Sequence, residues 1–241
     1  MLTGGRAHAV GTRRCGVAFS PGGDVVASGS ADATARLWRV EQRRCPTPLA
    51  DVKHPDAVSG VNFHPSGEYL CTACADSNVR VLNVRSAAAA PAVLRAHSGP
   101  VWSSAFSPSG EHVASASSDR SIALWDWRRA TRVGTLHGHA NWVLDARFDV
   151  HGSTIASASK DRSVRIWDVN TCDQVLELWG HESFATCCAF GGGCSSVASQ
   201  VFSGGHDKVV RQWDQNSGME VAQVLGLNPK PHTLHDKVAR Q

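Results

Sequence analysis

A chain of 241 residues with 42% hydrophobic residues can bury a full core as one all-β domain. A net charge of +3, without a long basic stripe, argues against direct binding of nucleic acid. No apolar run is long enough to span a bilayer and no leader-type segment is evident, so the expected setting is intracellular and cytoplasmic, with nucleus, cilium or centriole as alternatives.

Read in chain order, one pattern returns five times. A phenylalanine stands at Phe19, Phe63, Phe106, Phe148 and Phe190, at steps of 44, 43, 42 and 42. Gly23, Gly67, Gly110 and Gly152 follow the first four by four residues and supply the φ > 0 position of a hairpin turn. A hydroxyl comes next at Ser28, Thr72, Ser115, Ser157 and Ser203, then an aspartate at Asp32, Asp76, Asp119, Asp161 and Asp207. Six residues beyond each aspartate lie Trp38, Leu82, Trp125, Trp167 and Trp213. Nine residues before each phenylalanine lie Val10, His54, His97, His139 and His181. Within a copy, "VLDARF", "TIASAS", "SVRIW" and a weaker fourth segment such as "QVLELW" read as four short antiparallel strands with turn signals between them. No segment has a helical period. A repeat of this length is the mark of a propeller or array.

"GH" followed by "SASKDRSVRIWD", with 22 residues from histidine to aspartate in copies two to four, resembles the WD-repeat family over residues 10 to 227. The resemblance implies a β-propeller with one four-stranded blade per copy, the copies running approximately 10–52, 53–95, 96–137, 138–179 and 180–227, followed by a polar tail at 228–241. Five blades are compatible with a five-bladed ring, an open propeller or part of a seven-bladed one.

The same resemblance implies a structural hydrogen-bonded tetrad rather than a catalytic triad. The sets are Trp125, Ser115, His97, Asp119; Trp167, Ser157, His139, Asp161; and Trp213, Ser203, His181, Asp207. An indole donates, hydroxyl and imidazole do both, and a carboxylate closes the chain as acceptor, so all four can be satisfied when buried. A catalytic serine must instead stand exposed beside an oxyanion hole. Copies one and two depart, with Val10 in the histidine slot and Leu82 in the tryptophan slot, and should be less rigid. Copy five has four extra residues around "GGGCSSVASQ", which implies a longer hairpin.

With the tetrads as scaffold, function falls to the surface they hold. By resemblance, three slots per copy face the top of the ring. They are Arg13, Cys15 and Ala31; Ala57, Ser59 and Ala75; Pro100, Trp102 and Ser118; Trp142, Leu144 and Lys160; and Phe184, Thr186 and His206. The candidate partner-binding residues are Trp102, Trp142, Leu144, Lys160, Phe184 and His206, since large aromatics are enriched among interface hot spots. The expectation is a non-catalytic scaffold that binds other proteins in a larger assembly through the top face, with exposed blade edges as a second surface, and with no small-molecule substrate, cofactor or metal and no membrane insertion.

Two alternatives stand beside it. "LWDWRR" places Trp125, Asp126 and Arg128 in a WDxR motif, which in substrate receptors of cullin–RING ubiquitin ligases contacts the adaptor; a nucleic-acid-associated or hydrolytic role is more remote. "GTLHGHANWVLDARF" resembles the WD subunit of superkiller RNA-decay complexes, and "VSGVNFHPSGEYL" resembles centriolar and ciliary WD proteins. The "CTAC" of Cys71 and Cys74 has zinc-knuckle spacing without a second pair, so it reads as buried thiols, as do Cys187 and Cys188 on their strand. Arg13–Arg14, Arg43–Arg44 and Arg128–Arg129 read as solvated edges. "SAAAAPA" at 86–92 reads as a loop after blade two.

Overall fold

The computed structural model describes residues 16–40, 47–86, 90–95, 97–191 and 200–225, which form twenty strands in five four-stranded antiparallel sheets. The first sheet holds β1 (Val17–Phe19), β2 (Val25–Gly29), β3 (Thr34–Arg39) and β4 (Thr47–Lys53). The second holds β5 (Val58–Phe63), β6 (Tyr69–Cys74), β7 (Asn78–Asn83) and β8 (Ala92–Arg95). The third holds β9 (Val101–Phe106), β10 (His112–Ser117), β11 (Ser121–Asp126) and β12 (Thr131–His137). The fourth holds β13 (Val143–Phe148), β14 (Thr154–Ser159), β15 (Ser163–Asp168) and β16 (Gln174–Trp179). The fifth holds β17 (Ala185–Gly191), β18 (Gln200–Gly205), β19 (Val209–Asp214) and β20 (Glu220–Leu225). Each sheet is a meander in chain order, the architecture of propeller blades. No helix among the described residues is long and apolar enough to cross a membrane.

Period-two patterning explains why the strands form, and burial on both faces explains why the central ones are small. Ala114, Ala116, Ala156 and Ala158 are fully buried between neighbouring sheets. Each interface is a separate apolar cluster. Ala27, Ala35 and Leu37 meet Val58, Val61, Leu70 and Leu82 between the first two blades. Cys71, Val79 and Leu94 meet Val101, Val113 and Trp125 at the next. Ile122, Leu124 and Leu136 meet Val143, Ile155 and Trp167, and Val164, Ile166 and Leu178 meet Ala185, Val201 and Trp213. Among the described residues no such cluster joins the fifth blade to the first: Val17 is 64% exposed and Val224, at the matching position of the other end, 67%. All five innermost strands, or the residue leading into them, nonetheless line one central cavity of about 310 Å³.

Turn chemistry repeats with the blades. Gly23, Gly67, Gly110 and Gly152 lie at φ of 73–75° between the first two strands of their sheets. At Gly110 a side chain would also strike the His64 ring, so only glycine fits there. Val10, the basic pairs Arg13–Arg14 and Arg43–Arg44, Cys15, the inserted stretch at 192–199 and the tail at 228–241 lie outside the described residues. β8 begins at Ala92, so the fourth strand of the second blade follows the alanine-rich stretch of the sequence rather than preceding it.

Candidate functional site

The hairpin turn between the second and third strands of every blade carries the repeated aspartate, which there accepts a hydrogen bond from the backbone N–H two residues on. The distances are 3.0 Å for Asp32 to Thr34, 3.2 Å for Asp76 to Asn78, 3.0 Å for Asp119 to Ser121, 2.9 Å for Asp161 to Ser163 and 3.2 Å for Asp207 to Val209. This Asx-type closure holds the intervening residue in the left-handed region: Ala33, Ser77, Arg120, Arg162 and Lys208 have φ of 65–76°. It is a turn role that the tetrad pattern alone does not disclose, and it explains an aspartate in all five copies.

In blades three to five the other carboxylate oxygen reaches a histidine. Trp125 Nε1 donates to Ser115 Oγ at 3.1 Å, Ser115 Oγ meets His97 Nε2 at 2.8 Å, and His97 Nδ1 donates to Asp119 Oδ2 at 2.8 Å. The matching distances are 2.8, 2.7 and 2.7 Å for Trp167, Ser157, His139 and Asp161. They are 2.8 Å throughout for Trp213, Ser203, His181 and Asp207. Burial pushes the Asp119 and Asp161 carboxyls up, but hydrogen bonds from His97, His139 and the neighbouring serines outweigh it and hold both below the usual carboxylate range. Asp207 is lowered in the same way, with His181 overcoming burial. Burial pulls His139 down despite Asp161. The Ser–His–Asp spacing is that of a hydrolase, yet Ser115 and Ser157 are fully buried and Ser203 nearly so. Each serine oxygen already accepts an indole N–H, which leaves no path to a substrate.

Blades one and two are built differently. Trp38 Nε1 reaches Ser28 Oγ at 3.3 Å. His54 bonds Thr72 at 2.9 Å, but its other nitrogen turns to the Val52 carbonyl and Asp76 is taken by Arg80 at 2.6 Å.

In blades two to five, slots expected to face the top meet at one end of the blade. The backbone N–H preceding the turn aspartate donates across to the third residue after the histidine slot in blades two to five: Ala75 to Ala57, Ser118 to Pro100, Lys160 to Trp142 and His206 to Phe184, each at 2.9 Å. Trp102 and Trp142 stack at 5.7 Å with an interplanar angle of 21°. Lys160 Nζ lies 3.6 Å from the Trp142 ring centre and 5.4 Å from that of Phe184. Phe184 in turn stands 5.8 Å from His206. Trp102 is pinned by its Nε1 bond to Ser118 Oγ at 2.8 Å and lines the central cavity. Both indoles are half-buried, so the strip is fixed from beneath and open above.

Leu144 does not join it. Its side chain is only 3% exposed. The inner strand bulges there: Val143 and Asp145 stand opposite the consecutive residues Ser159 and Ala158, so Leu144 is the extra residue, and a bulge re-aims its extra residue. Ser59, Trp102 and Thr186 occupy the same bulge position in their blades.

Two further clusters escape sequence reasoning. Asp145 is buried in the channel wall, where it accepts Ser103 Oγ at 2.7 Å and the Cys188 N–H at 3.2 Å, and pairs with Arg147 at 3.2 Å. One carboxylate thereby ties three innermost strands together. The signal was present: "VLDARF" puts a charge pair in the middle of an apolar strand. At the opposite end, the Gly110 carbonyl accepts from Trp127 Nε1 at 2.8 Å and meets His64 Nε2 at 3.1 Å, which locks blade two to blade three. Arg128 lies 4.9 Å from the Trp127 ring centre, and Asp126 is engaged by Arg129 at 3.1 Å.

Cys71 and Cys74 are both buried, which pushes their thiols up to about 12 and about 11. No group of three or more metal-ligating side chains is found among the described residues.

Comparison with known proteins follows this geometry. The model of the "WD domain, G-beta repeat" matches residues 90–126, 130–168 and 171–214, and that of the "Anaphase-promoting complex subunit 4 WD40 domain" matches 17–97. Each of the three repeat matches takes in the outermost strand of one sheet and the inner three of the next. The chain is similar to a coronin-like protein of Saccharomyces cerevisiae, 40% identical over 26% of this chain and 9% of that protein. It is similar to pre-mRNA-processing factor 19 of Bos taurus, 30% identical over 51% of this chain and 24% of that protein. Coronin-7 of Pongo abelii is 34% identical over 36% of this chain and 9% of its own length. The chain thus matches a quarter or less of each of these relatives.

Proposed function

Since the chain belongs to the WD-repeat family, whose domains generally serve as protein-interaction scaffolds, we propose that it is a non-catalytic scaffold docking partner proteins of a larger assembly on the top of blades three to five. The observation that carries this reading is the contiguous strip of Trp102, Trp142, Lys160 and Phe184, joined by ring stacking and cation–π contact. Large, pre-ordered aromatic side chains lose little conformational entropy on binding, which is why they dominate interface energetics. The three blades that present the strip are also those whose loops are stitched by complete tetrads.

The ligase-adaptor reading has no comparable cluster behind it, because Asp126 is engaged by Arg129 and Arg128 lies on Trp127. The stretches resembling superkiller and centriolar subunits supply the packing positions of β5, β12 and β13, so they add no partner.

The test is affinity purification from source cells with wild-type chain and a Trp102→Ala, Trp142→Ala, Phe184→Ala variant shown to be folded by its circular dichroism. Loss of stable partners from the folded variant is expected. Unchanged partners would move docking to the outer faces of the blades and overturn the reading.

A further inference from the structure

The turns at the top of blades three to five present four cations that the turn aspartates do not pair with. In these blades the turn aspartate points inward to its histidine; on either side of it Ser118 and Lys160 are half-buried, and Arg120, Arg162, His206 and Lys208 are exposed. Among the described residues none of Arg120, Lys160, Arg162 or Lys208 forms an ion pair. One exposed acid, Glu182, lies beside them, its own N–H tied to Asp207. The corresponding turns of blades one and two carry Ala31, Ala33, Ala75 and Ser77 and no cation, and Arg36 and Arg80 there are neutralised by Asp32 and Asp76. Lys160 is the centre of the positive end: burial among the rings draws its ammonium below the ordinary lysine range, with no carboxylate to compensate.

We infer that this end receives an extended segment of a partner protein in which acidic and apolar side chains alternate, with one carboxylate seated on Lys160 between Trp142 and Phe184. The inference rests on the docking face proposed above and adds the chemistry of its occupant. An aspartate or glutamate would complete a charge-assisted pair at a partly desolvated ammonium, where such a pair is stronger than in water. The flanking ring edges would cover the apolar neighbours. A single-stranded nucleic acid fits less well, since stacking needs a free ring face. Trp102 and Trp142 cover one another, and Lys160 covers the Trp142 ring.

The test uses fluorescence anisotropy with the full chain and three labelled probes: a dodecapeptide alternating Asp and Phe, one alternating Lys and Phe, and a 20-mer of oligouridine. The Asp–Phe peptide is expected to bind and to weaken with added salt. Lys160→Ala should cost about tenfold in affinity and Lys160→Arg far less. Lys160 contributes to no tetrad, so an unchanged melting temperature certifies the fold of both variants. Equal binding of the Asp–Phe and Lys–Phe peptides, no binding of either, tighter binding of oligouridine, or an indifferent Lys160→Ala each overturns the acidic-segment inference. The two proposals fail separately. Partners lost from the triple aromatic variant but kept by Lys160→Ala leave the docking face standing and remove its acidic specificity. Partners kept by the triple variant remove the face itself.

Discussion

Blades one and two and blades three to five have the same strand order and are joined by the same kind of apolar interblade cluster, yet among the described residues only the latter contain a four-member hydrogen-bond chain. A sheet therefore forms without the tetrad. What the tetrad adds is a tie from the loop that enters a blade, through its histidine, to the turn between the second and third strands and to the third strand's tryptophan. Among the described residues, blades one and two show no such tie and carry small residues at the corresponding turns, whereas the three tied blades carry the rings and cations there. For the docking face proposed above, such ties would hold the rings in place beforehand, and side chains held before binding lose less entropy on binding.

The comparison is broken most directly at the tryptophan. Trp167 is 1% exposed, so Trp167→Ala should cost about 3–5 kcal/mol, whereas half-buried Trp38→Ala should cost about 1 kcal/mol; equal shifts in urea midpoint would show that the tetrad blades have no special weight. Asp145→Ala strips the carboxylate shared by β9, β13 and β17 and leaves Arg147 without its partner, at about 3 kcal/mol by the same measurement. A smaller contrast comes from the hydroxyls. Ser157→Ala leaves a buried indole N–H unpaired, worth about 1–3 kcal/mol, while Ser28→Ala, at the end of a 3.3 Å bond to a partly solvated indole, should cost roughly 0.5 kcal/mol.

Acid should separate these terms by a few degrees of melting temperature. His139 and His54 are held neutral by burial, so below their ordinary value of about 6.5 the unfolded chain binds more protons and stability falls as pH drops. Asp119 and Asp161 are depressed, so their contribution persists above about pH 4 and is lost as pH falls through their folded values. His139→Gln should flatten the first fall, and an unchanged pH 7-to-5 profile in that variant would remove His139 from the account. The smallest effect is expected at a turn: Arg120 lies at φ 72°, and Arg120→Gly should stabilise by roughly 0.5 kcal/mol, the left-handed strain relieved less the entropy glycine brings.

The blades were legible because their signals are local. A fixed spacing of glycine, hydroxyl, aspartate and tryptophan sits within one copy, and turn chemistry reads out directly as φ > 0 at Gly23, Gly67, Gly110 and Gly152. What remained hidden joins one blade to another. Asp145 meets Ser103 and Cys188 about forty positions away on either side. His64 meets Gly110 across a blade boundary, and no spacing within a copy encodes that contact. Leu144 shows a third limit. The resemblance places its slot on the surface, but it sits in a strand bulge like that of Trp102 and is buried.

The stagger between sequence unit and sheet has a practical consequence for anyone dividing this chain. The unit matched at 130–168 begins with β12, the outer strand of the third sheet, and continues with β13 to β15 of the fourth. A fragment cut at unit boundaries therefore carries an orphan strand at one end and a three-stranded sheet at the other, each with an unpaired edge prone to self-association. Cuts at the entry loops, after Arg95, His137 or Trp179, leave whole sheets instead. The units overlap as roof tiles do, and a stable piece must be lifted along the lines between sheets.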